Sequence, residues 1–136
     1  MSRKIARESI YKLIFEFLFT GEPNDYTFEI LMYDKDLDDD DREYMTSVYK
    51  GVIGNYKNLT EYTGSFAIGY TVDRIVKADM AALLLSVYEM KFLTDIPKSV
   101  SINEAVDLVK RFSTEKSSSF VNGILASVYK DLQGDK

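Results

Sequence analysis

The chain has 136 residues, 46% of them hydrophobic and 29% charged, with a formal net charge of −5. That length and balance suit one globular domain with a real core rather than a disordered chain. There is no cysteine and no histidine, which excludes disulfides and cysteine zinc sites and removes the commonest general base and metal ligand.

The charge is unevenly spread. Residues 1–21 carry four basic and two acidic side chains, residues 22–43 two and ten, and residues 44–136 eleven and ten. Local charge governs phosphate contact, so the acidic stretch does not by itself forbid a nucleic-acid surface elsewhere. The opening MSRKIARES never reaches the apolar core of a signal peptide. No run of about 18 apolar residues exists to span a membrane. A soluble, cytoplasmic protein is expected. Without His, Cys, G-x-G-x-x-G or a phosphate loop, and with paired carboxylates only in the acidic link or on exposed faces, an enzyme is not.

Ser2 can cap a first helix running from Arg3 to about Phe19, with Gly21 as its stop. Ile10, Leu13, Ile14, Phe17 and Leu18 give it an apolar stripe. Arg3, Lys4 and Arg7 crowd its first two turns, where the helix dipole disfavours cations. Chemistry alone balances two readings, a use for positive charge or merely solubilising terminal residues. Pro23-Asn24-Asp25 opens a short second helix from Tyr26 to about Tyr33, with Phe28 and Leu31 turned inward.

Residues 34–43, DKDLDDDDRE, begin like an EF-hand calcium loop. The required glycine position falls on Asp39 and the bidentate glutamate position on Met45, so the motif fails. A solvated link whose aspartates cap the next helix fits better, and it should lie away from any RNA-binding face. The third helix is expected to run from near Asp39 to residues 64–66 on Met45, Val48, Val52, Leu59 and Phe66. Gly51 and Gly54 weaken it unless they admit a neighbouring helix.

Gly69-Tyr70-Thr71 breaks the pattern, Thr71 can cap a short helix through Val76, and the break separates two halves, 1–68 and 69–136. Asp79–Phe92 is apolar nearly all round, as the buried centre of a domain is, and Asp79 reads as its N-cap more readily than as a partner contact. Ser101 and Glu104 form an S-x-x-E capping box for the next helix, whose face is Ile102, Ala105, Val106, Val109 and Phe112. A last helix begins at Phe120 and continues through Val121, Ile124, Leu125 and Val128. The link between them, Ser113–Ser119, is basic and rich in hydroxyls, with a phenylalanine at each edge. It fits a surface for single-stranded RNA or an ordinary αα-corner with two core phenylalanines, and its chemistry alone favours the corner.

INEAVDLVKRF followed by SSSFVNGIL resembles the C-terminal signature of the NusB family of bacterial transcription antitermination factors. DMAALLLSVYEM, with Tyr88-Glu89-Met90 at its end, is similar to that family's central helix. Ile96-Pro97 stands before the next helix as in the family, and ARESIYKLIFEF resembles its first helix. The likeness spans nearly the whole chain and is weakest over Tyr26–Tyr70.

The resemblance implies an all-α domain of about seven helices in two packed sub-bundles. It implies pairing with NusE, which is also a small-subunit ribosomal protein, and binding of the single-stranded boxA element. The assembly would join an RNA polymerase antitermination complex that protects ribosomal RNA transcription, without cofactors. By the same resemblance Arg3, Lys4 and Arg7 would meet phosphates, and Phe112, Lys116, Ser117 and Phe120 would meet RNA. Phe15 and Asp79 would face the protein partner. Three departures stand out: fewer N-terminal arginines, Lys116 where an acidic residue is common, and Phe15 for a frequent tyrosine. The rival reading is a helical adaptor or homodimer without RNA affinity, consistent with the overall acidity.

Overall fold

The computed structural model describes residues 2–134. Seven α-helices and no strand occur among the described residues: α1 (Ser2–Thr20), α2 (Asp25–Met32), α3 (Asp39–Gly54), α4 (Tyr56–Gly64), α5 (Lys77–Phe92), α6 (Lys98–Phe112) and α7 (Ser117–Leu132). A 3₁₀ turn, Val72–Arg74, precedes α5. The all-helical class expected from periodicity is the class found.

Every residue of α5 from Ala78 to Met90 is buried. The helix packs against α1, α3, α4, α6 and α7, because a helix apolar on all sides must be surrounded. The expected boundary near residue 69 falls in the turn after α4, and α5 touches helices from both halves of the chain. Three polar side chains buried on α5 each find a partner. Asp79 accepts from Ser113 Oγ at 2.7 Å, Ser86 donates to the Ser101 carbonyl at 3.0 Å, and Glu89 sits in a network described below.

α1 ends as its sequence predicts, with Gly21 at φ 76° and its N–H on the Phe17 carbonyl at 2.8 Å. Asn24 caps α2 by accepting from the Thr27 N–H at 3.0 Å, and Phe28 stacks on Tyr49 of α3 at 5.2 Å. The aspartates of the acidic link do cap α3, through a reciprocal box between Asp38 and Asp41.

Several boundaries differ from expectation. Ser2 and Asp25 lie inside α1 and α2, and the short helix expected through Val76 is only the 3₁₀ turn Val72–Arg74, which the Thr71 side chain does not cap. The long third helix is divided at Asn55, whose N–H and Nδ2 both reach the Gly51 carbonyl, at 3.0 and 2.7 Å. An amide side chain competing for a helical carbonyl beside two glycines is enough to end the helix there. α5 starts at Lys77, so Asp79 lies in its first turn and is not the cap. α6 starts at Lys98, directly after Pro97, where a residue without an N–H costs nothing. Ser101 is therefore inside the helix and the expected capping box is absent: its hydroxyl goes to Glu89, and the Glu104 carboxylate goes to Lys4 and Arg7. α7 starts at Ser117, ahead of Phe120.

Candidate nucleic-acid and partner interface

Of the three N-terminal cations, two are at the surface and one is not. Arg7 is 5% exposed. Its guanidinium forks onto Glu89, Nε to Oε2 at 2.9 Å and Nη2 to Oε1 at 3.2 Å. Tyr44 Oη donates to the same carboxylate, and Ser101 Oγ donates to Oε1 at 2.7 Å. Burial and the neighbouring Glu89 push the Tyr44 hydroxyl well above its ordinary pKa. Burial works against the Arg7 charge, but the hydrogen bonds to Glu89 and the surrounding negative charge hold it even more firmly protonated than a free arginine. A phosphate contact by Arg7 was expected; here the side chain is committed inside, tying α1 to α3, α5 and α6.

Arg3 and Lys4 project further. The Arg3 guanidinium lies 4.5 Å over the Tyr44 ring and its Nε donates to Asp41 Oδ1 at 3.0 Å. Lys4 is exposed and reaches both Glu104 oxygens, at 2.9 and 3.1 Å. The acidic link is thus not remote from the basic N-terminus, as charge repulsion had suggested, because one of its aspartates turns inward to meet Arg3. Burial disfavours ionised Asp41, yet hydrogen bonds from the Ser2 and Arg3 side chains and the Asp38 backbone bring its pKa below the usual carboxylate value. A carboxylate depressed on folding stabilises above its unfolded pKa and stops doing so as pH falls through its folded pKa. Urea midpoints should therefore decline below about pH 4, near the unfolded aspartate value, and Asp41→Asn should flatten that part of the profile.

The hydroxyl-rich link folds back on α5. Ser117 is buried, with Oγ 2.9 Å from both Ser113 Oγ and Thr114 Oγ1 and accepting from the Thr114 N–H at 3.2 Å. Lys116 is exposed. Phe120 is half-buried, edge-on to Tyr70 at 5.0 Å. Lys116, Phe120, Tyr70 and Arg74 line one shallow cavity of about 160 Å³ whose floor includes Asp79 and Ser117. The corner reading and the surface reading both describe part of this link, since Ser117 is structural while Lys116 faces solvent.

Phe112 lies elsewhere. It is 40% exposed, 5.8 Å from the Tyr11 ring, with the Arg111 guanidinium at 4.8 Å and Lys12 Nζ at 5.1 Å from its own ring. Tyr11 donates to the Ala78 carbonyl at 2.9 Å, and burial, helped by the Asp79 charge, pushes its hydroxyl up to about 12. Phe112 and Phe15 line the same groove, with Phe19 and Lys77 beyond them. Phe15 meets Phe19 edge-on at 5.0 Å, and Lys77 Nζ sits 5.1 Å over the Phe19 ring. One surface therefore joins Phe15, expected on the partner side, to Phe112, expected on the RNA side. Asp79 is 4% exposed and holds Ser113 instead of facing outward.

Sequence reasoning passed over Lys12, Phe19, Arg74, Lys77 and Arg111. Phe15 and Phe19 carried a usable signal, because they are four residues apart and off the apolar stripe of α1. Nothing in the spacing of Lys77 or Arg111 announces that both stand over phenylalanine rings.

The chain matches the model of the NusB family over residues 4–130. It belongs to the NusB family. The transcription antitermination protein NusB of Acetivibrio thermocellus is 40% identical over 130 residues, which cover 96% of this chain and 90% of that protein. The structure of T. maritima NusB superposes with a TM-score of 0.85 at 28% identity, covering 96% of this chain and 92% of that one. A chain in the crystal structure of antitermination factors NusB and NusE in complex with dsRNA superposes with a TM-score of 0.83 at 26% identity, covering 96% and 97%. NusB proteins are antitermination factors and not enzymes. No helix among the described residues is long and apolar enough to cross a membrane.

Proposed function

We propose that this NusB-family chain pairs with NusE and binds boxA RNA in the cytoplasm, joining the RNA polymerase complex that carries ribosomal RNA transcription past premature termination. The observation that supports this most is the near full-length likeness to a chain of a solved NusB–NusE–RNA complex. The surface chemistry is compatible: single-stranded RNA is held by cations on phosphates and flat groups against splayed bases. Arg3, Lys4, Lys116 and Arg74 supply charge, and Phe120 with Tyr70 supplies aromatic surface. The groove of Phe15, Phe19 and Phe112, with aromatic anchors inside a cationic rim, suits a protein partner.

The test is fluorescence anisotropy of labelled boxA RNA titrated with the protein, with and without NusE, at two salt concentrations and against a scrambled RNA. Binding should prefer boxA, tighten with NusE and weaken with salt. A folded monomer that binds neither RNA under any of these conditions would leave a helical adaptor.

Glu104 competes with phosphate for Lys4. In the same assay Glu104→Gln should raise RNA affinity by about two- to fivefold, the scale of one exposed ion pair. An unchanged or weaker affinity would mean that Lys4 takes no part.

A further inference from the structure

The acidic segment has no place in the function proposed above, and it surrounds an unusual helix face. On α2, Tyr26, Ile30 and the adjoining Tyr33 stand at i, i+4 and i+7, so they share one stripe. They are 78%, 53% and 80% exposed, while Phe28 on the other side is buried. Glu22, Asp25, Glu29, Asp34 and Asp36 border the stripe, and none of them joins an ion pair among the described residues. No residue of this face lines the grooves around Phe112 or Phe120.

The stripe is held in place at both ends. Asn24 caps the start and its N–H donates to Tyr49 Oη at 3.0 Å. At the far end Arg42 donates from Nε to the Met32 carbonyl at 2.8 Å and from Nη2 to the Asp34 carbonyl at 3.3 Å. These bonds turn the segment's arginine mainly onto backbone oxygens, with Nη1 on Asp39 at 3.4 Å. The exposed Lys35 joins no ion pair among the described residues, so five bordering carboxylates face one nearby cation.

We propose that the α2 face is a docking surface for a basic, amphipathic segment of a partner protein. Two exposed tyrosines flanking an isoleucine are the residue types that anchor interfaces while losing little side-chain freedom. The unpaired carboxylates select the occupant. Nucleic acid and anionic lipid are repelled by them, and so is the same face of a second copy. A segment with leucine-like side chains on one side and lysines or arginines beside them satisfies both features.

The probe is a synthetic helical peptide of about 18 residues with leucines along one face and lysines on the rest. Its controls are a scrambled peptide of the same composition and a leucine–glutamate counterpart. Titration is followed by amide chemical shifts of the intact protein. The helical basic peptide should shift α2 and the acidic link and bind more tightly than either control. The triple variant Tyr26→Ser, Ile30→Ser, Tyr33→Ser, which alters only exposed side chains, should weaken it by about tenfold or more. Asp25→Asn with Glu29→Gln should weaken it severalfold and remove much of its salt dependence.

Equal binding by the scrambled peptide, or by the triple variant, would reduce the effect to non-specific charge attraction and overturn the proposal. Shifts confined to the Phe15–Phe112 groove would overturn it too, as would concentration-dependent self-association that the triple variant abolishes.

Discussion

Glu89→Ala should cost about 3–5 kcal/mol of folding stability, the loss typical of breaking a buried ion pair from one side. The carboxylate is 1% exposed and accepts from Arg7, Tyr44 and Ser101 at once. Its removal leaves a guanidinium and two hydroxyls in a site closed to water, and each unsatisfied group is penalised. Small domains have only about 5–15 kcal/mol in total, so the urea midpoint should fall steeply while the helical signal of any folded fraction is retained. Arg7→Ala should fall in the same range, since it strands the opposite charge. A variant Arg7→Ala that unfolds at the wild-type midpoint but loses RNA affinity would show that the guanidinium leaves this network to meet phosphate.

Two glycines on α3 should respond in opposite directions. At Gly51 an added Cβ would overlap the Oη and Cζ of Tyr88 on α5, whereas at Gly54 it would meet nothing within 4 Å. Gly54→Ala should therefore stabilise by up to about 1 kcal/mol, from the better helix former. Gly51→Ala has the same propensity gain but must displace a buried ring, and overpacking of that kind costs about 1–3 kcal/mol or more. With the outer end of the Tyr88 ring in the way, the net should be a loss of up to about 2 kcal/mol. Parallel urea unfolding of the two variants checks both signs; stabilisation by both would mean that the α3–α5 approach is looser than the geometry gives.

The two predictions concern the same scaffold from different sides. Gly51 lets α3 approach α5 closely, and Glu89 on α5 then collects donors from α1, α3 and α6. The consequence for the surface is that Arg3 and Lys4 leave a helix whose next turn is anchored by Arg7. Their positions are set by a buried network, and their charges are partly met by Asp41 and Glu104 before any ligand arrives.

Much of this was legible in the sequence because it depends on local pattern. Apolar spacing of three and four residues identified α1, α5, α6 and α7, and an apolar run on every side marked α5 as the centre. The failed calcium motif and the capping role of the aspartates also follow from residues near one another in the chain. The family could be read from short segments for the same reason. What local pattern could not decide was where long-range partners win. Ser101 and Glu104 carry a valid capping signature, but the buried Glu89 carboxylate and the Arg7 and Lys4 cations, distant in sequence, hold them more strongly than a helix end open to water. Arg7 reads as one of three equivalent N-terminal cations until α5 places a carboxylate beside it. Phe15 and Phe112, from opposite ends of the chain, share a groove only because α1 and α6 both pack on α5. The sequence by itself determined the helices and the chemistry available on each. Only the tertiary structure decided which polar groups were used up inside and which remained to meet a partner, because that choice turns on desolvation and on contacts made when the helices close together.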